Sequence, residues 1–226
     1  MKKLILTIFM ILLLAAGTAK ADIAMPEMVA GWNMGVVTGQ PVSVPGTVGT
    51  GITHVTAYDM TRGAGLTIPS ATNYAFNSSG WTGEATDYVQ FGFKVDPGYL
   101  VNLSGLYFGT KVSSTGPTQL LVKTSLDNYS STIYTVLQDN AGGTYKNPIV
   151  NLSSLGPVTG DFYIRFYGTG ATSGNGTMRV SAYNPAGTYY FDSITGSVAA
   201  VPIPGAVWLL GSGLVGLVGL RKRTGK

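Results

Sequence analysis

The chain has 226 residues and a formal net charge of +4, and its basic excess lies at the two ends. Residues 22–200 carry seven basic residues against all ten acidic ones, a net charge of −3, so they offer no basic stripe to a phosphate backbone and nucleic-acid binding is not expected. The chain contains no cysteine, which excludes disulfides, thiolate metal sites, lipoprotein acylation and a cysteine nucleophile.

The first residues have the order of a secretory signal peptide. Two lysines follow the first methionine, and the uncharged apolar run Leu4–Ala16 comes next. This run has 13 residues, fewer than the roughly 20 that a membrane-spanning helix needs, so export is favoured over an N-terminal anchor. Ala19 and Ala21 place small residues where signal peptidase reads them. We expect signal peptidase to remove residues 1–21 by cleavage before Asp22.

Residues 22–200 are predicted to form one all-β domain. No segment of this region repeats apolar residues at helical spacing over 11 or more residues, and short strand-like segments recur between clusters of Gly, Pro, Asn, Asp and Ser. The predicted strands are 52–58, 66–68, 74–76, 89–95, 100–108, 119–126, 132–137, 162–167, 177–183 and 188–194. Such a set favours two packed antiparallel sheets, a β-sandwich of which the jelly roll is one form.

One of the predicted strands has chemically distinct faces. In Phe162–Tyr167, side-chain alternation places two phenylalanines and Ile164 on one face and Tyr163, Arg165 and Tyr167 on the other. Tyrosine rings can stack on sugar faces while arginine donates hydrogen bonds, so the second face is a candidate carbohydrate contact. The alternatives are a central strand covered on both sides and cross-strand tyrosine pairing.

Other chemistry is sparsely represented in the domain. The single histidine, His54, has neither cysteines nor clustered carboxylates around it in the sequence, so we expect no zinc site and no catalytic triad. We expect no catalytic residue at all, although Glu84 is the first candidate if the protein is a hydrolase. Calcium is a second, weaker ligand hypothesis, since Asp127, Asp139 and Asp192 lie in or near predicted turns. Backbone hydrogen bonding in turns explains the same aspartates without a metal and is the favoured interpretation.

The C-terminal residues begin with a predicted linker and continue into a short apolar segment. Residues 196–200 have small or modest side chains and precede the Val201–Pro204 segment, whose prolines resist regular structure, so we expect an exposed linker. Ile203–Leu220 is uncharged over 18 residues, and a helix of that length is about 27 Å long, barely enough to span a hydrocarbon core of about 30 Å. Basic residues follow it, so the domain is predicted to lie outside the membrane.

The order of these C-terminal parts resembles a known sorting signal. Val201, Pro202, Ile203 and Pro204 precede the apolar stretch, and the basic cluster Arg221, Lys222 and Arg223 follows it. Residues 201–226 thus resemble the PEP-CTERM signal, in the variant that has Val-Pro-x-Pro in place of Pro-Glu-Pro. A permanent membrane anchor, with the prolines merely starting its helix, is the alternative.

The resemblance implies a route to the cell exterior. It implies processing by an exosortase, a membrane-embedded cysteine transpeptidase of Gram-negative bacteria that make extracellular polysaccharide, with Pro202 and Pro204 as its recognition residues. The tail would hold the chain at the inner membrane until the enzyme cuts near the prolines and releases or transfers the domain. Ile203 stands where the commoner motif has glutamate, which leaves open which exosortase variant reads this tail.

Three functions remain as hypotheses. The first is a structural or adhesive protein of the cell surface or the extracellular polysaccharide matrix, without cofactor. The second is a polysaccharide-binding module that uses the Tyr163 face. The third is a secreted hydrolase.

Overall fold

The computed structural model describes residues 25, 27–39, 41–69, 74–140, 143–188 and 190–202. Within these ranges the chain is all-β, as predicted, with three short 3-10 turns at Met34–Val36, Ser125–Asp127 and Ser153–Leu155. The fourteen strands of this part are β1 Met28–Trp32, β2 Gly46–Thr47, β3 Val55–Arg62, β4 Ala75–Ser78, β5 Tyr88–Val95, β6 Tyr99–Tyr107, β7 Gly109–Val112, β8 Gln119–Thr124, β9 Tyr134–Leu137, β10 Ile149–Asn151, β11 Pro157–Val158, β12 Asp161–Thr169, β13 Met178–Ser181 and β14 Asp192–Ala200.

Both predicted processing segments fall largely outside the described residues. The signal peptide with Ala19, Ala21 and Asp22 lies wholly outside them, as does the tail from Ile203 onwards. Among the residues that are described, none belongs to a helix with the length and apolar character needed to cross a membrane. The two segments therefore stay predictions.

The described strands pair into three antiparallel sheets, where the sequence predicted two. The six-stranded sheet has the order β10-β6-β14-β1-β2, with β11 also paired to β6, and the five-stranded sheet has the order β3-β5-β12-β8-β9. A three-stranded sheet, β4-β13-β7, completes the set. It arises because the chain changes sheets at the buried Phe108, where β6 ends and β7 begins.

One hydrophobic core joins side chains from all three sheets. Trp32 of the six-stranded sheet meets Phe91 of the five-stranded sheet edge-on, with ring centroids 4.7 Å apart. The ring centroids of Phe108 and Phe166 lie 4.4 Å apart, with their planes tilted by 38°. Since each of these rings is almost fully buried, the inner faces of the two larger sheets are held together by apolar burial, the main favourable term in folding.

The predicted linker at residues 196–200 is wrong, because these residues form the second half of β14. They pair with Tyr99–Leu103 of β6 through a bulge between Thr195 and Gly196. A Cβ at Gly196 would lie 2.3 Å from the Asn102 carbonyl oxygen, so its missing side chain permits close pairing. Small side chains are thus a feature of tight strand packing here and not of a linker.

Further differences concern strands, since the prediction did not include β2, β10 and β11. The sequence prediction missed β1, whose five residues are all buried, because a strand covered on both faces shows no polar alternation. The segment predicted as a strand at 66–68 forms only an isolated bridge between Thr67 and Ser79.

Candidate functional site

The candidate site lies on the face of the five-stranded sheet that points away from the core. Phe162, Ile164 and Phe166 of β12 are fully buried, while the residues between them are only partly buried, which confirms the predicted alternation. β12 is the central strand of this sheet. Because directly opposite residues of an antiparallel pair share a face, the face can be read from the register.

Two rows of side chains cross this face. One row contains Gln90 of β5, Arg165 of β12 and Lys123 of β8, and the next contains Tyr88, Tyr167 and Leu121 of the same strands. We call this surface the outer face. Its members come from strands that are far apart in sequence and meet only through pairing.

Arg165 is held by four neighbours on the outer face. Its guanidinium carbon lies 3.9 Å from the ring centroid of Tyr88 and 3.8 Å from that of Tyr129. Its Nε donates a hydrogen bond of 2.7 Å to Gln90 Oε1, and Nη1 donates one of 3.3 Å to the Tyr167 hydroxyl. Cation–π contacts and these hydrogen bonds fix both the position and the plane of the guanidinium group.

Tyr129 reaches Arg165 because of an unusual turn after β8. Asn128 and Tyr129 have φ angles of 55° and 61°, a left-handed conformation that costs a non-glycine residue of order 1–3 kcal/mol. The turn is held by hydrogen bonds from Tyr129 N to Thr124 O and from Ser131 N to the Asp127 carboxylate, each 2.9 Å long. The bonds with Ser131 also lower the pKa of Asp127. Burial raises the pKa of Tyr129, although the nearby Arg165 charge opposes this shift.

A pocket of about 480 Å³ opens beside Arg165, and its volume lies within the usual range for small-ligand sites. Its lining includes Arg165, Tyr167, Lys123 and Tyr129 together with the loop 83–85. The Lys123 ammonium lies 5.5 Å from the centroid of the Tyr167 ring. The pocket therefore combines two cations with aromatic rings.

The loop 83–85, which lines the pocket, is held in place by the buried carboxylate of Asp87. Asp87 Oδ2 accepts hydrogen bonds from Thr82 N at 2.8 Å, Thr82 Oγ1 at 2.7 Å and Glu84 N at 3.1 Å. Glu84 itself lines the pocket and is exposed to solvent. Its position next to Arg165 and Tyr167 could not be foreseen from the sequence.

The structure separates the three predicted carbohydrate contacts. Arg165 and Tyr167 line the pocket, but Tyr163 does not. Tyr163 instead stacks on Tyr58 of β3. Tyr167 also has a cross-strand tyrosine neighbour, since its ring centroid lies 5.7 Å from that of Tyr88, so the cross-strand tyrosine alternative describes both residues. The alternative of a strand covered on both sides does not hold for β12, since Tyr163, Arg165 and Tyr167 all keep part of their surface exposed.

Sequence reasoning missed several residues of the site. Tyr88 and Gln90 alternate with the core residues of β5, and Lys123 alternates with those of β8, so a face could have been assigned to each of them. No local signal, however, tells which strands are neighbours. For Tyr129 there is no signal at all beyond a turn-forming Asp-Asn pair.

His54 lies away from this pocket. Its ring stacks on Tyr99 with centroids 3.6 Å apart, and Nδ1 lies 3.5 Å from the Asp96 carboxylate. These contacts give the histidine a packing role at the start of β3. The structure does not bring it to Glu84 or Arg165, since it lines a different depression.

The aspartates of the calcium hypothesis lie in different elements. Asp127 belongs to the turn after β8, Asp139 follows β9, and Asp192 begins β14. Asp192 is buried and its Oδ1 accepts backbone hydrogen bonds from Gly109 and Tyr183. Within the described ranges, no three potential His, Cys, Asp or Glu ligands are grouped around one point. Calcium binding stays a prediction.

Comparison with known proteins leaves the site to be judged by its own geometry. No protein-family model, no curated protein and no solved structure matches this chain. The residues of the site, and not an analogy of fold, are therefore the basis for a function.

Proposed function

We propose that this chain is an exported, exosortase-processed protein that acts as a structural or adhesive component of the cell surface or extracellular matrix. We further propose that its adhesion is achieved by polysaccharide binding in the pocket beside Arg165. Its two larger sheets would then form the layers of a β-sandwich that presents the outer face to the matrix. The single observation that carries the binding role is the Arg165 guanidinium clamped between the Tyr88 and Tyr129 rings at the edge of an open pocket.

The chemistry of this pocket suits a sugar. Sugars have apolar ring faces and a rim of hydroxyl groups, so they need aromatic surface together with fixed hydrogen-bond partners. Tyr129 and Tyr167 supply rings and hydroxyls, and Arg165 supplies donors whose direction is set by its neighbours. A group that is already ordered loses little conformational entropy when it binds.

The sorting role is supported by the place where β14 ends. Val201 N donates a hydrogen bond of 2.8 Å to Gly98 O, directly after the last strand residue. Val201 and Pro202 are both exposed. Cleavage near the proline motif would thus leave all strand pairs of the domain intact, and a processing enzyme would find Pro202 accessible.

Mass spectrometry of intact protein from the native host tests the sorting role. The extracellular species should begin at Asp22 and end near the 201–204 motif, while a strain without the exosortase should keep the uncut tail in its membranes. A tail that persists to Lys226 in both strains would show a permanent anchor instead.

Glycan-array binding tests the polysaccharide role. A Tyr129→Ala, Tyr167→Ala double variant should lose binding that the original protein shows, because both rings line the pocket. Tyr134→Ala is the matched control, since this exposed tyrosine lies on the edge strand β9 and does not line the pocket. If the original protein binds no glycan of a broad array, the polysaccharide role is wrong.

We propose a binding role and not a hydrolytic one for this pocket. Glycosidases of the usual type need two carboxyl groups on either side of the scissile bond. Among the described residues that line the pocket, Glu84 alone carries a carboxylate. Turnover of a surface polymer that disappears in Glu84→Gln would overturn this choice.

A further inference from the structure

We infer that the pocket recognises a carboxylate-bearing sugar, so that the polysaccharide partner is a polymer of uronic acids. Arg165 is the principal contact to the carboxylate and Lys123 is the second. This inference rests on the proposed polysaccharide binding and names the class of its ligand.

The first argument is the hydrogen-bonding capacity of Arg165. A guanidinium group has five N–H donors in one plane. Two of them are used, by Gln90 and by the Tyr167 hydroxyl. The other three, on Nη1 and Nη2, have no acceptor among the described residues. The Tyr88 and Tyr129 rings both lie within 4 Å of the guanidinium carbon, and Nε is taken by Gln90. The donors left for a ligand are therefore at the Nη1 and Nη2 end of the fork, which can pair with a carboxylate through two parallel hydrogen bonds.

The second argument is charge. Lys123 lies directly opposite Arg165 in the register of β8 and β12 and lines the same pocket. Among the described residues no carboxylate lies within ion-pair distance of Arg165 or Lys123, so neither pocket cation is neutralised by a carboxylate in contact with it. Glu84 adds one negative charge to the lining, which leaves the pocket with an excess of one positive charge.

The negative net charge of the domain makes the positive pocket selective among anionic ligands. Residues 22–200 carry a net charge of −3, so the net charge of the domain opposes the binding of polyanions and the positive pocket is a local exception. A nucleic acid would need a row of cations along its backbone, which two neighbouring side chains do not provide. An acidic sugar needs a fixed cation to anchor its carboxylate together with an aromatic contact, and the pocket supplies both.

The test is calorimetric titration of the purified, processed protein with three polymers. These are polygalacturonate, the same polymer with its carboxyl groups reduced to alcohols, and dextran sulfate. We expect binding to polygalacturonate to be at least about tenfold tighter than binding to the reduced polymer, since hydrogen bonds to a charged group are worth about 1.5–3 kcal/mol. Equal affinity for both would overturn the carboxylate inference and leave polysaccharide binding standing. Equal or tighter binding of dextran sulfate would show general anion binding and would also overturn it.

Two variants locate the contact. Arg165→Lys keeps the charge but removes the fork, and it should weaken polygalacturonate binding about tenfold or more. Lys123→Met keeps the apolar stem of the side chain and leaves the residues that contact Arg165 unchanged. It therefore provides a second test if Arg165→Lys is unstable. It should weaken polygalacturonate binding several-fold and leave the reduced polymer unaffected.

The control is Lys94→Met. Lys94 is an exposed lysine on β5, on the same sheet but outside the pocket. Its removal should leave all affinities unchanged. If Lys94→Met and Lys123→Met weaken binding equally, the attraction is diffuse and the inference is wrong. If no polymer of either kind binds, the proposed polysaccharide role fails with it.

Discussion

The rings of Tyr58 and Tyr163 lie face to face, with centroids 5.1 Å apart and an angle of 8° between their planes. Both residues are register partners of Gly92, which lies on the strand between theirs. Adjacent strands are about 4.8 Å apart, so side chains from β3 and β12 can meet only if the residue between them is small. A Cβ at Gly92 would lie 2.0 Å from the Phe162 carbonyl oxygen.

Gly92→Ala should therefore destabilise the fold. Part of the backbone of β12 must move to admit the methyl group, at a cost of about 1–3 kcal/mol in the free energy of unfolding. Urea unfolding measures the change. Gly174→Ala is the control, because nothing lies within 4 Å of the Cβ position there. Equal stability of the two variants would contradict the tight pairing at Gly92.

Stability at alkaline pH should depend on Tyr58. Its hydroxyl donates to the Asp161 carboxylate at 2.5 Å, and this bond is the main cause that raises the pKa of Tyr58 above its usual value of 10.0. The folded state thus holds the proton more tightly than the unfolded state, so the contribution is complete below pH 10.0 and is lost as the pH rises above it.

Tyr58→Phe should make the fall of the unfolding free energy above this pH less steep than in the original protein. Urea unfolding in a series of alkaline buffers measures the slope. Tyr134→Phe is the control, since this tyrosine is exposed on the edge strand β9. An unchanged slope in Tyr58→Phe would show that the bond to Asp161 does not control the titration.

Trp32 should be one of the most sensitive positions of the core. It is fully buried, meets Phe91 across the sheets and donates a hydrogen bond of 2.8 Å from Nε1 to Tyr58 O. Trp32→Phe removes volume and leaves that carbonyl without its donor, which should cost about 2–3 kcal/mol. Thermal unfolding measures the loss, and Val36→Ala, at a side chain that is 69% exposed, should leave the melting temperature nearly unchanged.

Arg62 should stabilise the fold through its contacts with other parts of the chain, whereas Arg165 is proposed to bind a ligand. Its guanidinium lies 3.6 Å above the Phe76 ring and donates to Pro41 O at 2.9 Å and Ser78 Oγ at 3.0 Å. Burial lowers the pKa of Arg62 to about 10. Arg62→Met and Arg62→Lys should each lose about 2–3 kcal/mol of unfolding free energy, because neither keeps the planar fork. Chemical unfolding measures these losses, and the control Lys94→Met should have the same unfolding free energy as the original protein. If Arg62→Lys were as stable as the original protein, the planar fork would not be needed.

Hydrogen exchange tests the correction at residues 196–200. Gly196 N donates to Glu27 O at 3.0 Å, and Val201 N donates to Gly98 O at 2.8 Å. Both amides should exchange much more slowly than that of Gly187, which is exposed in a turn. Exchange of Gly196 and Val201 at the rate of Gly187, measured by NMR, would restore the linker interpretation.

Local patterns were enough to predict the fold class and part of the site. The alternation along β12 assigned Arg165 and Tyr167 to one face without any knowledge of neighbouring strands, because successive side chains of a strand point to opposite sides. The same reasoning failed for β1, which is buried on both sides, and for Gly196, whose small size was taken as a sign of a linker. In both cases the missing information is what packs against the segment.

What the sequence determined by itself is therefore the fold class and, for strands with one buried face such as β12, the face on which each side chain lies, since the alternation of side chains is a local property of an extended backbone. Only the tertiary structure decided which faces meet. Gln90 holds Arg165 across 75 positions of sequence, and Tyr129 covers it through a left-handed turn that a non-glycine residue adopts only when its surroundings over-determine it. Register between distant strands and strained turns are set by the packing of the whole domain, so the pocket beside Arg165 exists only in the folded chain.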